Sequence, residues 1–173
     1  MGVPYSSKAV ANSFIRKAKE KGCTDISPMK LQKLVYFAHG WFMAFTDKEF
    51  IKEEVQAWKF GPVIPDIYFE FKEYGNSNIE ILATELRFTG SQLELITPNI
   101  DDDDDDANTI INEVWRAYGE FTPIQLSNIT HAKGSPWEMV ASSYGSELPK
   151  NIEMPNALIK DLFKKKLLES KNG

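Results

Sequence analysis

Residues 28–45, PMKLQKLVYFAHGWFMAF, constrain the possible folds more than any other stretch. Ser27 and Pro28 open it as an N-cap and a first helical residue, a position where the missing proline N–H costs nothing. Leu31, Leu34, Val35, Ala38, Trp41, Phe42 and Phe45 then recur at helical spacing. Tyr36 and Met43 lie on one flank and Phe37 fills the other side. A helix apolar around most of its circumference must be surrounded by protein, because each such side chain contributes roughly 1.5–3 kcal/mol when buried. The spacing predicts a central helix ending near Phe45.

With 173 residues the chain is long enough for one domain with a real core and too short for two of ordinary size, so residues 1–173 read as a single domain. No apolar run reaches the length of a bilayer span, and the first residues lack the pattern of an export signal, so no membrane partner is expected. Cys23 is the sole cysteine. No intrachain disulfide can form, and a reducing cytoplasm is the expected location. The net charge of −5 has one source: removing the six aspartates of 101–106 leaves +1. The remaining body offers no positive field for a phosphate backbone, which disfavours nucleic acid as a partner.

Around the central helix the chain predicts a mainly helical domain with a small antiparallel sheet. Ser6 or Ser7 caps a first helix with Ala11, Phe14, Ile15 and Ala18 on one face. Residues 55–60 read as extended, Gly61-Pro62 and Pro65 as a turn, and 66–74 as a helix with Ile67, Phe71 and Tyr74 inward. Residues 85–96 read as a hairpin pairing Phe88 with Leu93 and Leu86 with Leu95 on one face, and Arg87 with Glu94 on the other. Further helices carry Ile110 to Tyr118, Leu126 and Ile129 after Thr122-Pro123, Trp137 and Val140 after Ser135-Pro136, and Leu158, Leu162 and Phe163. Lys164, Lys165 and Lys166 are expected near the end of that last helix, where cations suit the dipole.

Candidate chemistry is sparse. His39 and His131 lie far apart and in no metal-ligand spacing, so no metal or other cofactor is expected. His39 suits a buried imidazole donating to an oxygen, with a catalytic or ligand-binding role as the alternative. Cys23 has no local signature of a catalytic dyad. The run Asp101 to Asp106 reads as a solvated acidic loop whose last residue favours the following helix start; steering of a basic partner is the other use. A helix-turn-helix over 109–133 would read bases with only Gln125, Asn128 and Lys133, too few for a groove reader. WKFGPVIPDIY, residues 58–68, is either a rigid corner whose Trp58 and Phe60 plug the core or an exposed aromatic–proline corner that anchors a protein partner.

Taken in order, MKLQKLVYFAHGW (29–41), QAWKFGPVIPDIY (56–68), YG (74–75) and LSNITHAKGSPW (126–137) resemble the signatures of the Panacea domain. This is the SocA-like antitoxin domain of GepA-type phage-associated proteins. The matching positions are Lys30, Leu31, Lys33, Leu34, Tyr36 and Trp41; Trp58, Lys59, Gly61, Pro62 and Pro65; and Thr130, His131, Pro136 and Trp137. His39, where Gln is common, and the six-aspartate run depart from the pattern. The resemblance implies a compact helical antitoxin that binds a separately encoded toxin without catalysis, with delivery of the toxin to an AAA+ protease as a further implied mode. Candidate partner-binding residues are Lys59, Phe60, Pro62, Pro65, Tyr68, His131 and Trp137. Two other readings stay open: a small hydrolase or transferase using His39 or His131, and an acidic phage-encoded inhibitor imitating DNA.

Overall fold

The computed structural model describes residues 2–173. Helix α1 (Ser7–Glu20) is capped by the Ser6 hydroxyl, which accepts from the Ala9 N–H. Helix α2 (Pro28–Thr46) begins as its sequence requires, with the Ser27 side chain accepting from the Lys30 N–H and Pro28 in the first turn. It packs against α1 and, among elements further along the chain, against α3 (Pro65–Phe71), α4 (Asp105–Tyr118), α5 (Pro123–His131) and α7 (Asn156–Lys171). Leu31, Leu34, Val35, Ala38 and Phe42 are buried on all sides. A Cβ on Gly40 would sit 2.6 Å from the Phe163 ring, so glycine is what lets α7 approach α2 this closely. Phe37 stacks on Tyr118 with ring centroids 4.2 Å apart, and Phe163 meets Trp41 edge-on.

The seam along α2 does not stay buried to its end. Trp41 is half-buried and Phe45 exposed, where α4 and α7 flank the last turn of α2 without closing over it. An open, mostly apolar groove of about 390 Å³ results, lined among others by Trp41, Phe45, Ile110, Val114 and Leu167.

Two sheets form where one was expected. Strand β1 (Val55–Trp58) lies between β2 (Gly61–Val63) and β5 (Ile152–Met154), antiparallel to both. Gly61-Pro62 is therefore strand and not turn; Trp58 pairs with Gly61, and Lys59 and Phe60 form the turn. Pro62 is tolerated because β2 is an edge strand. Strand β5, three residues long, is too short for alternation to announce it.

The second sheet is the hairpin of β3 (Glu85–Thr89) and β4 (Gln92–Ile96). Its register is the expected one, Leu86 opposite Leu95, Arg87 opposite Glu94 and Phe88 opposite Leu93. Arg87 nevertheless takes its carboxylate partner from Glu85 on its own strand, at 2.8 Å. Asn12, fully buried on α1, ties down both roots of the hairpin: its amide donates to the carbonyls of Ala83 and Pro98, and its oxygen accepts from the Ala83 N–H.

The acidic run is only partly a solvated loop. Asp105 and Asp106 belong to α4 and Asp104 caps it, accepting from the Ala107 N–H. Asp104 also accepts from the Tyr5 hydroxyl at 2.8 Å, and Asp101 from the Gly2 N–H at 2.7 Å. The charge repulsion expected to extend the run is offset by docking onto the start of the chain and onto a helix N-terminus.

A one-turn 3₁₀ segment (Lys72–Tyr74) follows α3, and α6 (Pro136–Ser142) is short and starts at the Ser135 cap. In α7 the buried residues are Ile159 and Phe163, with Leu158 and Leu162 half-buried. Lys164 to Lys166 lie mid-helix and not at its end; Lys164 and Lys160 both pair with Asp47, which follows α2. Among the described residues, no helix is long and apolar enough to cross a membrane.

Candidate functional site

The polar residues of α2 are the first clue to what the fold positions. Lys30, Gln32, Lys33 and His39 are all buried, a costly placement unless each polar atom is partnered. Each reaches out to hold a different neighbouring segment. Lys30 pairs with Asp25 at 2.7 Å. Gln32 makes a double hydrogen bond with the backbone of Ile64, donating to its carbonyl at 3.0 Å and accepting from its N–H at 2.9 Å.

Lys33 holds the β1–β2 turn, donating to the carbonyls of Phe60 at 3.2 Å and Pro62 at 3.1 Å. Burial pushes its amine down to about 7. No carboxylate pairs with it among the described residues, and two carbonyls match the two N–H groups of a neutral amine. Gly61, between those carbonyls, has φ +114, and a Cβ there would stand 2.7 Å from the Lys33 nitrogen and 3.1 Å from both Thr130 Oγ1 and His131 Cε1. Only glycine serves both demands.

Three separated motifs thus meet at one corner. His131 on α5 packs on Trp137 of α6, centroids 4.1 Å apart, and its Nδ1 lies 2.7 Å from the Ser127 carbonyl. Trp137 donates its indole N–H to the Trp58 carbonyl at 2.7 Å. The Trp58 ring meets Tyr68 edge-on at 4.9 Å, and Tyr68 meets Phe69 at 5.3 Å. The row of rings runs from α6 across the strand to α3.

The sequence-predicted partner residues divide accordingly. Lys59 and Phe60 project from the turn, Phe60 with 66% of its surface exposed and the Lys59 ammonium 5.3 Å from its ring centre. Phe60 is therefore not a core plug. Tyr68 is exposed; Pro65, His131 and Trp137 are half-buried; Pro62 is buried within β2 and presents no contact surface. Phe69, exposed beside the Lys72 ammonium, was missed although the helical spacing of Ile67 and Phe71 places it on the outer side of α3.

The alternatives meet specific obstacles. His39 is fully buried; its Nε2 donates to Asn156 Oδ1 at 2.9 Å and its Nδ1 accepts from the Ile51 N–H at 3.4 Å, with burial lowering its basicity. His39 and His131 have no partner residue in common among these contacts. The Cys23 thiol donates to Asp25, and burial pushes it up, away from thiolate. Gln125, one of the three candidate base contacts, is engaged in the Thr122 capping box.

Residues 31–138, which include Gln32, Lys33 and His39 of α2, the turn and Trp137, match the family described as "Antitoxin SocA-like, Panacea domain", and the chain belongs to that family. It is also 32% identical over 158 residues to "Antitoxin SocA" of Caulobacter vibrioides (strain NA1000 / CB15N), covering 91% of this chain and 82% of that protein. No solved structure matches the chain.

Proposed function

We propose that the protein is an antitoxin that neutralises a separately encoded toxin by direct binding, with the β1–β2 turn and the outer face of α3 as the contact surface. The observation that carries this reading is the corner itself. Lys59, Phe60, Tyr68 and Phe69 lie exposed on a base braced from three motifs by Lys33, Trp58, Trp137 and His131. Exposed aromatics and cations on a rigid support are the composition of an interface hot spot. The engaged state of His39 and Cys23 supports action without catalysis, and the lone cysteine suits the cytoplasm.

Co-expression with the product of the adjacent reading frame tests the proposal. The neighbour alone should arrest growth, the pair should grow, and the two should co-purify. Lys59→Ala with Phe60→Ser should abolish both protection and co-purification while leaving thermal unfolding unchanged. Protection that survives in this folded double variant would overturn the assignment of the surface. Toxin half-life in the same cells separates two modes: shortening that depends on an AAA+ protease makes the complex a delivery step, and an unchanged half-life makes binding sufficient.

A further inference from the structure

The β3–β4 hairpin is oriented against its own pattern. Leu86 and Phe88 on β3 and Leu93 and Leu95 on β4 share one face by strand alternation and register. That face points to solvent, with exposures of 65%, 75%, 54% and 67%. The opposite face carries the half-buried Glu85, Arg87 and Ile96 beside the exposed Thr89, Gln92 and Glu94. A register slip of one residue would reverse this; the pairing and the clamp of both roots by Asn12 show that the orientation is set by the fold. Among the described residues neither strand pairs with any other, so the hairpin stands as a two-stranded sheet, a form of marginal stability by itself. Four large apolar side chains on such a sheet make a patch of roughly 500 Å², toward the upper end of the largest patch a monomer ordinarily carries, a size that is often functional.

We infer that this face packs against the same face of a second copy of the chain, related by a two-fold axis. Two arguments select this occupant. The first is charge: two copies repel through their acidic 101–106 runs, whereas this face holds no ionisable group and buries no charge when it is covered. Its composition asks for an uncharged apolar counterpart, and the face itself is one. The second is area. Two such patches bury about 1,000 Å² together, the lower bound of a specific interface, in the self-complementary form that a two-fold axis requires. Face-to-face stacking is the arrangement that removes all four side chains from water; pairing the strand edges would leave them wet. The inference does not depend on the toxin-binding corner, which lies on β1–β2 and α3.

Sedimentation velocity of the full chain from about 1 to 200 μM tests it. The wild type should show a reversible monomer–dimer equilibrium. Phe88→Glu should weaken self-association at least about 30-fold, and Thr89→Glu, on the opposite face, should leave it intact. Leu93→Ser serves as a second disrupting variant if Phe88→Glu does not fold, with circular dichroism as the check. A wild-type chain monomeric throughout the range overturns the inference. So does a dimer indifferent to both substitutions, or a Phe88→Glu variant that keeps dimerising but no longer binds the toxin, which would give the face to the toxin instead. Loss of protection in Lys59→Ala/Phe60→Ser with dimerisation kept bears on the antitoxin corner alone.

Discussion

The amine of Lys33 reaches past Gly61 to grip the chain on both sides of it, taking the carbonyl of Phe60 at 3.2 Å and that of Pro62 at 3.1 Å. The turn that presents Lys59 and Phe60 is thus held from inside the molecule by a residue on the central helix. That arrangement makes the shape of the corner depend on a glycine and on a buried amine.

Gly61→Ala should destabilise the protein by about 2–3 kcal/mol, combining a backbone angle that L-residues rarely adopt with displacement of the Lys33 amine from its two acceptors. Urea unfolding at constant slope measures it. A loss under about 0.5 kcal/mol would show that the turn can relax around a methyl group.

Lys33 should also leave a signature in the pH dependence of stability. With its folded amine at about 7 against an ordinary 10.5, the unfolded chain holds a proton there that the folded chain lacks. Stability should therefore rise as pH increases above 7, by at most about 1.4 kcal/mol per pH unit from this group, and its contribution should level off below 7. Urea midpoints at pH 6, 7.5 and 9 should show the rise in the wild type and a flatter profile in Lys33→Met.

His39→Leu should cost roughly 2–4 kcal/mol by stranding the Ile51 N–H and Asn156 Oδ1. His39→Gln keeps one donor and one acceptor and should cost about 1 kcal/mol, with toxin protection unchanged. Because burial lowers the folded imidazole's pKa, the unfolded chain gains the proton first as pH falls below about 6.5. Wild-type stability should decline there, and thermal melts at pH 5 and pH 7 should show a smaller decline in His39→Gln. Loss of protection in a fully folded His39→Gln variant would reopen the catalytic reading.

Asn12→Ala should cost about 2–3 kcal/mol, because three buried backbone partners at Ala83 and Pro98 lose it together. Hydrogen exchange should locate the effect: amides of β3 and β4 should lose protection before those of α2. Uniform loss across the chain would mean that Asn12 supports the core and not the hairpin.

Much of the scaffold was legible in the residues themselves. Ser27-Pro28, Thr122-Pro123 and Ser135-Pro136 announce helix starts because capping is a contact between near neighbours. The hairpin register follows from side chains three to eleven positions apart. The site was legible as motifs but not as an arrangement. Gly61-Pro62 looks like a turn by its residue types, and only pairing with β1 makes it strand.

The sequence by itself determined that α2 would be central, where the helices begin, and which hairpin residues oppose one another, since periodicity and capping act over a few residues. Tertiary structure alone decided that Lys33 would be buried beneath the turn, that Phe60 would face outward, and that the hairpin would show its apolar side to solvent. The reason is physical: burial belongs to the space between segments, and a side chain's surroundings are set by Thr130, Asn12 or Trp137, residues distant along the chain that only the folded molecule brings near.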